Sequence, residues 1–368
     1  MIPNFSFPAR RLLPCALAVL AAATGLRAVD DLPDYQPRIH VTGVLRSCGN
    51  PQMGPLLKLW QAGFKRLQPD AQFTEDLKSS ASGMYGLDMR TSDLALMGRP
   101  IFPYERYGVY ERSWVYPAFI EIATGSAEAL HKSPAYAIFV HRDNPLAQLS
   151  VRELDGIFGA ERGGGWNALT WDTSVARTPK DDLRTWGQLG LQGEWASRPI
   201  HVYGPPGLGA GAITYFQSRV FGGAETWNER LREYADRSQM IADLARDLAG
   251  IAYAPIAYAS AGVKALALSE TRAGPYFSLT RENVANRSYP LHRAVYIYYT
   301  MDNVKTELTP TLGDPRVKEF LRYILSKQGQ QDVAQEGSYL PLPAAVIREQ
   351  LKKLDSTAIP PEHQFMED

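Results

Sequence analysis

The chain has 368 residues, of which 45% are hydrophobic and 21% are charged, an ordinary composition for a globular protein. This length allows two domains, each able to bury a core without crosslinks. The 39 basic and 39 acidic residues balance, so the chain lacks the basic footprint of a nucleic-acid-binding protein.

The N-terminus has the composition of a secretion signal. Arg10 and Arg11 precede an apolar stretch from Leu12 to Leu20, and Ala28 offers a cleavage site beside other small residues. That stretch is too short to span a membrane, and no other part of the chain approaches the length required. We therefore expect residues 1–28 to be removed and the mature protein to be periplasmic or secreted, without a membrane span.

Strands and helices are expected to alternate in the first half of the chain. Residues 39–44 alternate in polarity as a half-buried strand does, and residues 47–51 are rich in turn formers. A helix should follow, with one apolar stripe formed by Leu57, Trp60, Phe64 and Leu67. Residues 94–97 are expected to form another strand, and this alternation favours parallel α/β layers.

The second half of the chain contains two clear helix starts. Residues 135–140 are predicted to form a strand that leaves the first layer. Soon afterwards, Ser150 and Glu153 have the spacing of a capping box. Asp314 as N-cap and Pro315 at the first helical position predict the start of a later helix.

Two segments more than 200 residues apart carry the most specific signal. One is the stretch from Ser92 to Pro100, followed by Glu105; the other joins residues 320–330 to residues 339–343. Both resemble, in the same order, motifs of the phosphate-type substrate-binding proteins of ABC transporters, a type II periplasmic-binding-protein family. The resemblance extends over roughly residues 39–345.

The resemblance implies an α/β, two-lobed type II periplasmic-binding-protein fold with a ligand cleft between the lobes. Lobe 1 would be discontinuous and consist of residues 36–135 and 286–350. Lobe 2 would be residues 136–285, and residues 351–368 would form a C-terminal tail. The two crossings between the lobes would act as a hinge that closes the cleft around a ligand.

A glycine-rich loop at residues 207–212 lies between a predicted strand and a predicted helix. Glycine lets backbone amides approach a ligand closely, and a helix N-terminus favours an anion. The resemblance places a phosphate-binding loop here and implies contacts from Gly209, Ala210, Gly211 and Ala212. The arginine and two hydroxyl donors typical of that loop are missing, so only backbone donors remain. A purely structural turn explains the segment equally well.

The resemblance also implies ligand contacts from two earlier loops. Aligning the first loop places Gln52 at a ligand position, and Ser80 or Ser82 could donate a hydroxyl before a helix. Arg46 is a second source of positive charge, facing either the cleft or the solvent. Capping of the helix explains both serines without a ligand.

Asp93 matches the aspartate of the family's strand motif. In phosphate binders the resemblance implies that this carboxylate accepts the ligand's proton, because an ionised carboxylate is only an acceptor. The alternative is a carboxylate that merely ends a strand. Arg99 is expected to brace its lobe by pairing with Glu105 or with backbone carbonyls.

The sequence carries no readable signature of an enzyme. Its six histidines show no pair at helical spacing, and no nucleophile elbow or P-loop lysine is present. We therefore expect no cofactor, no metal and no catalysis. After signal removal Cys48 is the single cysteine, which excludes an intramolecular disulfide.

The resemblance implies capture of phosphate or a related oxyanion for an ABC importer, whose membrane subunits would be the protein's partners. Two alternatives remain open. One is a secreted interaction or sensor protein that retains the fold but not phosphate binding. The other is a periplasmic hydrolase of a small anionic substrate, with Asp93 as general base.

Overall fold

The computed structural model describes residues 32–113, 115–167, 170–205, 211–224, 226–301 and 313–356. The predicted secretion signal at residues 1–28 and most of the predicted tail lie outside these ranges. None of the helices within the described ranges has the length and apolar character needed to cross a membrane.

The strands occur in the following chain order: β1 Gly43–Gly49, β2 Ala71–Leu77, β3 Leu94–Met97, β4 Ala118–Thr124, β5 Tyr136–His141, β6 Gln148–Ser150, β7 Gly165–Asn167, β8 Thr170–Asp172, β9 His201–Gly204, β10 Arg232–Glu233, β11 Gly250–Pro255, β12 Val263–Ala265, β13 Ala267–Ser269 and β14 Ala294–Tyr299. The α-helices between and after them are α1 Gly54–Leu67, α2 Ser80–Asp88, α3 Pro103–Ser113, α4 Val151–Phe158, α5 Gly211–Val220, α6 Arg237–Leu244, α7 Arg281–Ala285, α8 Pro315–Ile324, α9 Lys327–Glu336 and α10 Ala344–Asp355.

Two five-stranded sheets organise the molecule. The first has the order β2-β1-β3-β14-β4 and the second the order β10-β9-β11-β5-β12. In the first sheet β1 is parallel to β2 and β3, whereas β14 is antiparallel to β3 and β4. In the second sheet β9 is parallel to β10 and β11, whereas β5 is antiparallel to β11 and β12. The expected α/β two-lobed architecture is therefore confirmed, while the domain boundaries stay a prediction.

The predicted helices are confirmed where short-range interactions, such as an apolar stripe or an N-cap, determine them. Leu57, Trp60 and Phe64 are fully buried in the core of the first sheet. The capping box formed by Ser150 and Glu153 opens α4, and Asp314 caps α8 with its side chain.

Two details of the first strand and helix differ from the sequence-based expectation. The first strand begins at Gly43 and continues to Gly49, beyond the predicted residues 39–44, because it pairs along its length with β2 and at its end with β3. Leu67 is 44% exposed because α1 ends at that residue.

Gly49 is required where β1 ends. Its φ is +138°, and a Cβ at this position would lie 2.3 Å from the carbonyl oxygen of Leu96. A side chain would therefore push β1 away from β3. The close approach lets the Asn50 amide donate to that same Leu96 carbonyl, which fixes the direction in which the chain leaves the sheet.

Candidate functional site

A cavity of about 560 Å³ lies between the two sheets. Asn50 follows β1, Gly98 and Arg99 follow β3, and Tyr258 follows β11, so the carboxyl ends of parallel strands border this cleft. Ligands of open α/β sheets bind at that edge. Arg293 reaches the same edge from the start of β14, because this strand is antiparallel to β3.

The first sheet contributes a wall of backbone amides and hydroxyls. Ser79 caps α2, accepting a hydrogen bond from the Ser82 amide at 3.0 Å, while Ser80 begins the helix at the cleft. The Gly98 amide donates to Ser80 Oγ at 3.3 Å, and Ser133 Oγ donates to the Gly98 carbonyl at 2.9 Å. Because the partial positive charge of a helix N-terminus points at the cleft, this wall favours an anion.

Arg99 is buried and its charge is neutralised within the lobe. Its Nη1 and Nη2 atoms donate to the two Glu105 oxygens at 2.7 and 2.6 Å, and Nη1 also donates to the Pro100 carbonyl. The guanidinium lies 4.0 Å from the ring centroid of Phe102. The predicted bracing role of Arg99 is therefore confirmed, and its charge is largely unavailable to a ligand.

Arg293 brings a positive charge to the base of the cleft. Its Nη2 donates to the Gly98 carbonyl at 2.7 Å, and the guanidinium faces the rings of Tyr136 and Tyr215 at 5.8 and 5.2 Å. Its buried Nε has no hydrogen-bond partner among the described residues. Arg293 also has no ion pair in that part of the chain, so no carboxylate there neutralises its charge, which can attract an anion.

Arg237 supplies a second cation from the other side of the cleft. It is the first residue of α6, whose N-cap is Asp236, and its side chain is half-buried at the cavity. The described ranges contain no ion-pair partner for it. Both arginines therefore line the same cavity: Arg237 from the start of α6, and Arg293 from the residue just before β14.

Two polar groups beside Arg293, in Tyr136 and His292, add no charge. Burial raises the pKa of Tyr136, so its hydroxyl stays protonated and can donate a hydrogen bond. His292 precedes Arg293 and is neutral at physiological pH, because burial lowers its pKa to about 4. The cavity thus combines hydroxyl donors with two guanidinium groups that have no ion-pair partner among the described residues, an arrangement suited to an oxyanion.

Several sequence-based candidates lie in or beside this cleft. Ser80 and Gly211 line it. Ala212 is the second residue of α5, and Gly209 and Ala210 lie outside the described residues.

Two other candidates, Ser82 and Gln52, are not among the residues that line the cavity. Ser82 completes the capping box of α2. Gln52 is exposed in a one-turn helix, and its carbonyl accepts a hydrogen bond from Lys132 at 2.8 Å.

Asp93 and Arg46 lie at the other end of β3. Asp93 immediately precedes this strand, whereas the cleft begins at Gly98, five residues and roughly 16 Å further along the chain. The Asp93 carboxylate accepts from Arg46 Nη2 at 2.7 Å, from Arg46 Nε at 3.1 Å and from the Arg46 amide at 2.8 Å. The two candidates pair with each other and do not line the cavity.

This geometry predicts the effect of Asp93→Asn. The neutral amide should weaken the bonds to Arg46 and lower the free energy of unfolding by about 1.5 kcal/mol. The preference between phosphate and sulfate should stay unchanged, since the substituted group is remote from the cleft. Urea unfolding and paired titrations of wild type and variant measure both quantities. An altered anion preference would return Asp93 to the binding site.

Sequence reasoning missed the two cationic groups. Arg293 lies within the stretch from Tyr289 to Tyr298, which resembles the family's return strand, so a signal was present. Arg237 had no comparable signal: it is one arginine among many, and only the packing of α6 brings it to the cleft.

Comparisons with known proteins point to one family. A sequence profile of a family described as "PBP superfamily domain" matches residues 36–328. The phosphate-binding protein PstS of Pseudomonas aeruginosa is 30% identical over 338 residues, which cover 92% of this chain and 95% of that protein, and the same values hold in a second strain.

A solved structure is similar as well. The crystal structure of PstS from Borrelia burgdorferi superposes with a TM-score of 0.50 at 14% identity, covering 81% of this chain and 98% of the other. At that identity the likeness concerns the fold alone.

Proposed function

This chain belongs to the PBP superfamily and, within it, to the phosphate-type substrate-binding proteins of ABC transporters, and on that premise we propose that it binds phosphate in the cleft between its two sheets. Arg237 and Arg293 would hold the anion's charge. Ser80 and the α5 N-terminus would donate hydrogen bonds, with the backbone of Gly209, Ala210, Gly211 and Ala212 as part of the same site.

The observation that carries this proposal is the pair of guanidinium groups without a carboxylate partner among the described residues. A guanidinium presents several N–H donors in a fixed fork that matches the oxygens of a phosphate group. Burying such a charge without a partner is costly, and a bound anion would offset that cost. The name of the P. aeruginosa relatives supports phosphate as the anion.

The proposed role is transport rather than catalysis. The protein acts in the periplasm or outside the cell, and the membrane subunits of an ABC importer are its partners. The relatives are binding proteins, and the proposed general base of a hydrolase, Asp93, is held by Arg46 instead of facing the cleft. We propose that closure of residues 136–285 over the remainder of the fold encloses the ligand and presents a shape that the importer recognises.

Calorimetric titration with inorganic phosphate tests the binding proposal. We expect one phosphate per protein at neutral pH, with an affinity that falls as ionic strength rises, because the contacts are charged. Arg237 and Arg293 should compensate part of the donors that the glycine-rich loop lacks. Absence of a heat signal at millimolar phosphate would favour the interaction or sensor protein, and turnover of a chromogenic phosphoester would favour the hydrolase.

A further inference from the structure

We infer that the cleft accepts fully ionised tetrahedral oxyanions, sulfate as well as phosphate, and does not select its ligand by a retained proton. This inference rests on the proposed function and specifies the ligand class of the same site.

The inference starts from the charged groups of the cavity. Its basic lining side chains among the described residues are Arg99, His131, Arg237 and Arg293, and none of the described lining residues is an aspartate or glutamate. The loop at residues 206–210, which directly precedes Gly211, contains no acidic residue in its sequence either. The described part of the cleft therefore has donors and cations but no ionised acceptor.

Glu105, the carboxylate that pairs with the cavity-lining Arg99, is held by its own lobe. Both oxygens of Glu105 accept from Arg99, and Oε2 also accepts from the Phe102 amide at 2.8 Å. The Glu105 side chain is only 1% exposed. It cannot turn toward a ligand without leaving a buried arginine unpaired, which is expensive.

A carboxylate in the cleft would create selectivity by charge. As an acceptor-only group it hydrogen-bonds a ligand that still carries a proton and repels one that carries none. Hydroxyls line this cleft, including those of Ser80, Ser133 and Tyr136, and a neutral hydroxyl can donate to an anion. Without a repelling group, sulfate and hydrogen-phosphate meet nearly the same surroundings.

Side-by-side calorimetry with sodium phosphate and sodium sulfate at matched ionic strength tests the inference on the wild-type protein. We expect the two dissociation constants to agree within about tenfold, a free-energy difference too small to reflect a repelling carboxylate. Phosphate binding should also strengthen as pH rises and the anion loses its second proton.

An introduced carboxylate provides the complementary test. Ser80→Asp places an acid at the first position of α2, where negative charge stabilises a helix, and its matched neutral control is Ser80→Asn. The phosphate-to-sulfate affinity ratio of the aspartate variant should exceed that of the asparagine variant by about tenfold or more. An equal ratio in the two variants would contradict the inference.

The outcomes separate the inference from the proposed function. Phosphate binding with sulfate at least a thousandfold weaker (about 4 kcal/mol) in the wild type would overturn the inference and leave phosphate binding intact. Failure of both anions to bind would overturn the proposed function and the inference with it.

Discussion

Arg237→Gln should weaken phosphate binding by about ten- to a hundredfold, because one charge-assisted contact to an anion contributes roughly 1.5–3 kcal/mol. Arg237 lies half-buried at the cleft and has no ion pair among the described residues. Its removal therefore leaves no buried carboxylate unpaired, and the thermal midpoint should change little. Calorimetry with phosphate measures the affinity, and a thermal melt without ligand measures the stability.

Arg246→Gln is the matched control for this variant. Arg246 lies just after α6, its side chain is 78% exposed, and its contact with Asp243 spans 3.7 Å. It does not line the cavity. The control removes the same charge from the same region of the fold, so its effect reports long-range electrostatics alone. Equal affinity losses in the two variants would remove Arg237 from the site.

The parts of the fold that the sequence predicts are those that short-range physical chemistry decides. The cap at Ser150 and the proline-led start of α8 follow from hydrogen bonds within one helical turn. The buried stripe containing Trp60 follows from helical periodicity. None of these features depends on how the two sheets are placed relative to each other.

The candidate site depends on how the two sheets are placed relative to each other, so its residues are harder to predict from the sequence. A motif identifies β3 but does not tell which end of the strand borders the cleft. The motif therefore favours Asp93, whereas Gly98 and Arg99 lie at the cavity. Arg237 and Arg293 come from different elements and meet only in the folded chain. Amphipathic patterns report the core, whereas a cleft is lined by the residues just beyond the strand ends.

The buried ion pair between Arg99 and Glu105 supports one wall of the cleft and makes the fold sensitive to substitution of either residue. Both side chains are almost fully buried, with 6% and 1% exposure, and desolvating two charges offsets most of their attraction. Removing only one partner destabilises the fold strongly, because the remaining charge stays buried and unpaired. The pair is therefore a point where a single substitution has a large effect.

Glu105→Gln should lower the free energy of unfolding by about 3–5 kcal/mol, because the amide cannot neutralise the buried Arg99 guanidinium. Urea unfolding monitored by tryptophan fluorescence measures the loss. Glu349→Gln is the control: its partner Lys352 is three residues away in sequence and both side chains are exposed, so the expected change is about 0–1 kcal/mol. Equal losses in the two variants would mean that Arg99 finds solvent or another acceptor.

The double substitution Arg99→Leu with Glu105→Leu should recover much of the stability, since it removes the unpaired charge and leaves apolar groups in its place.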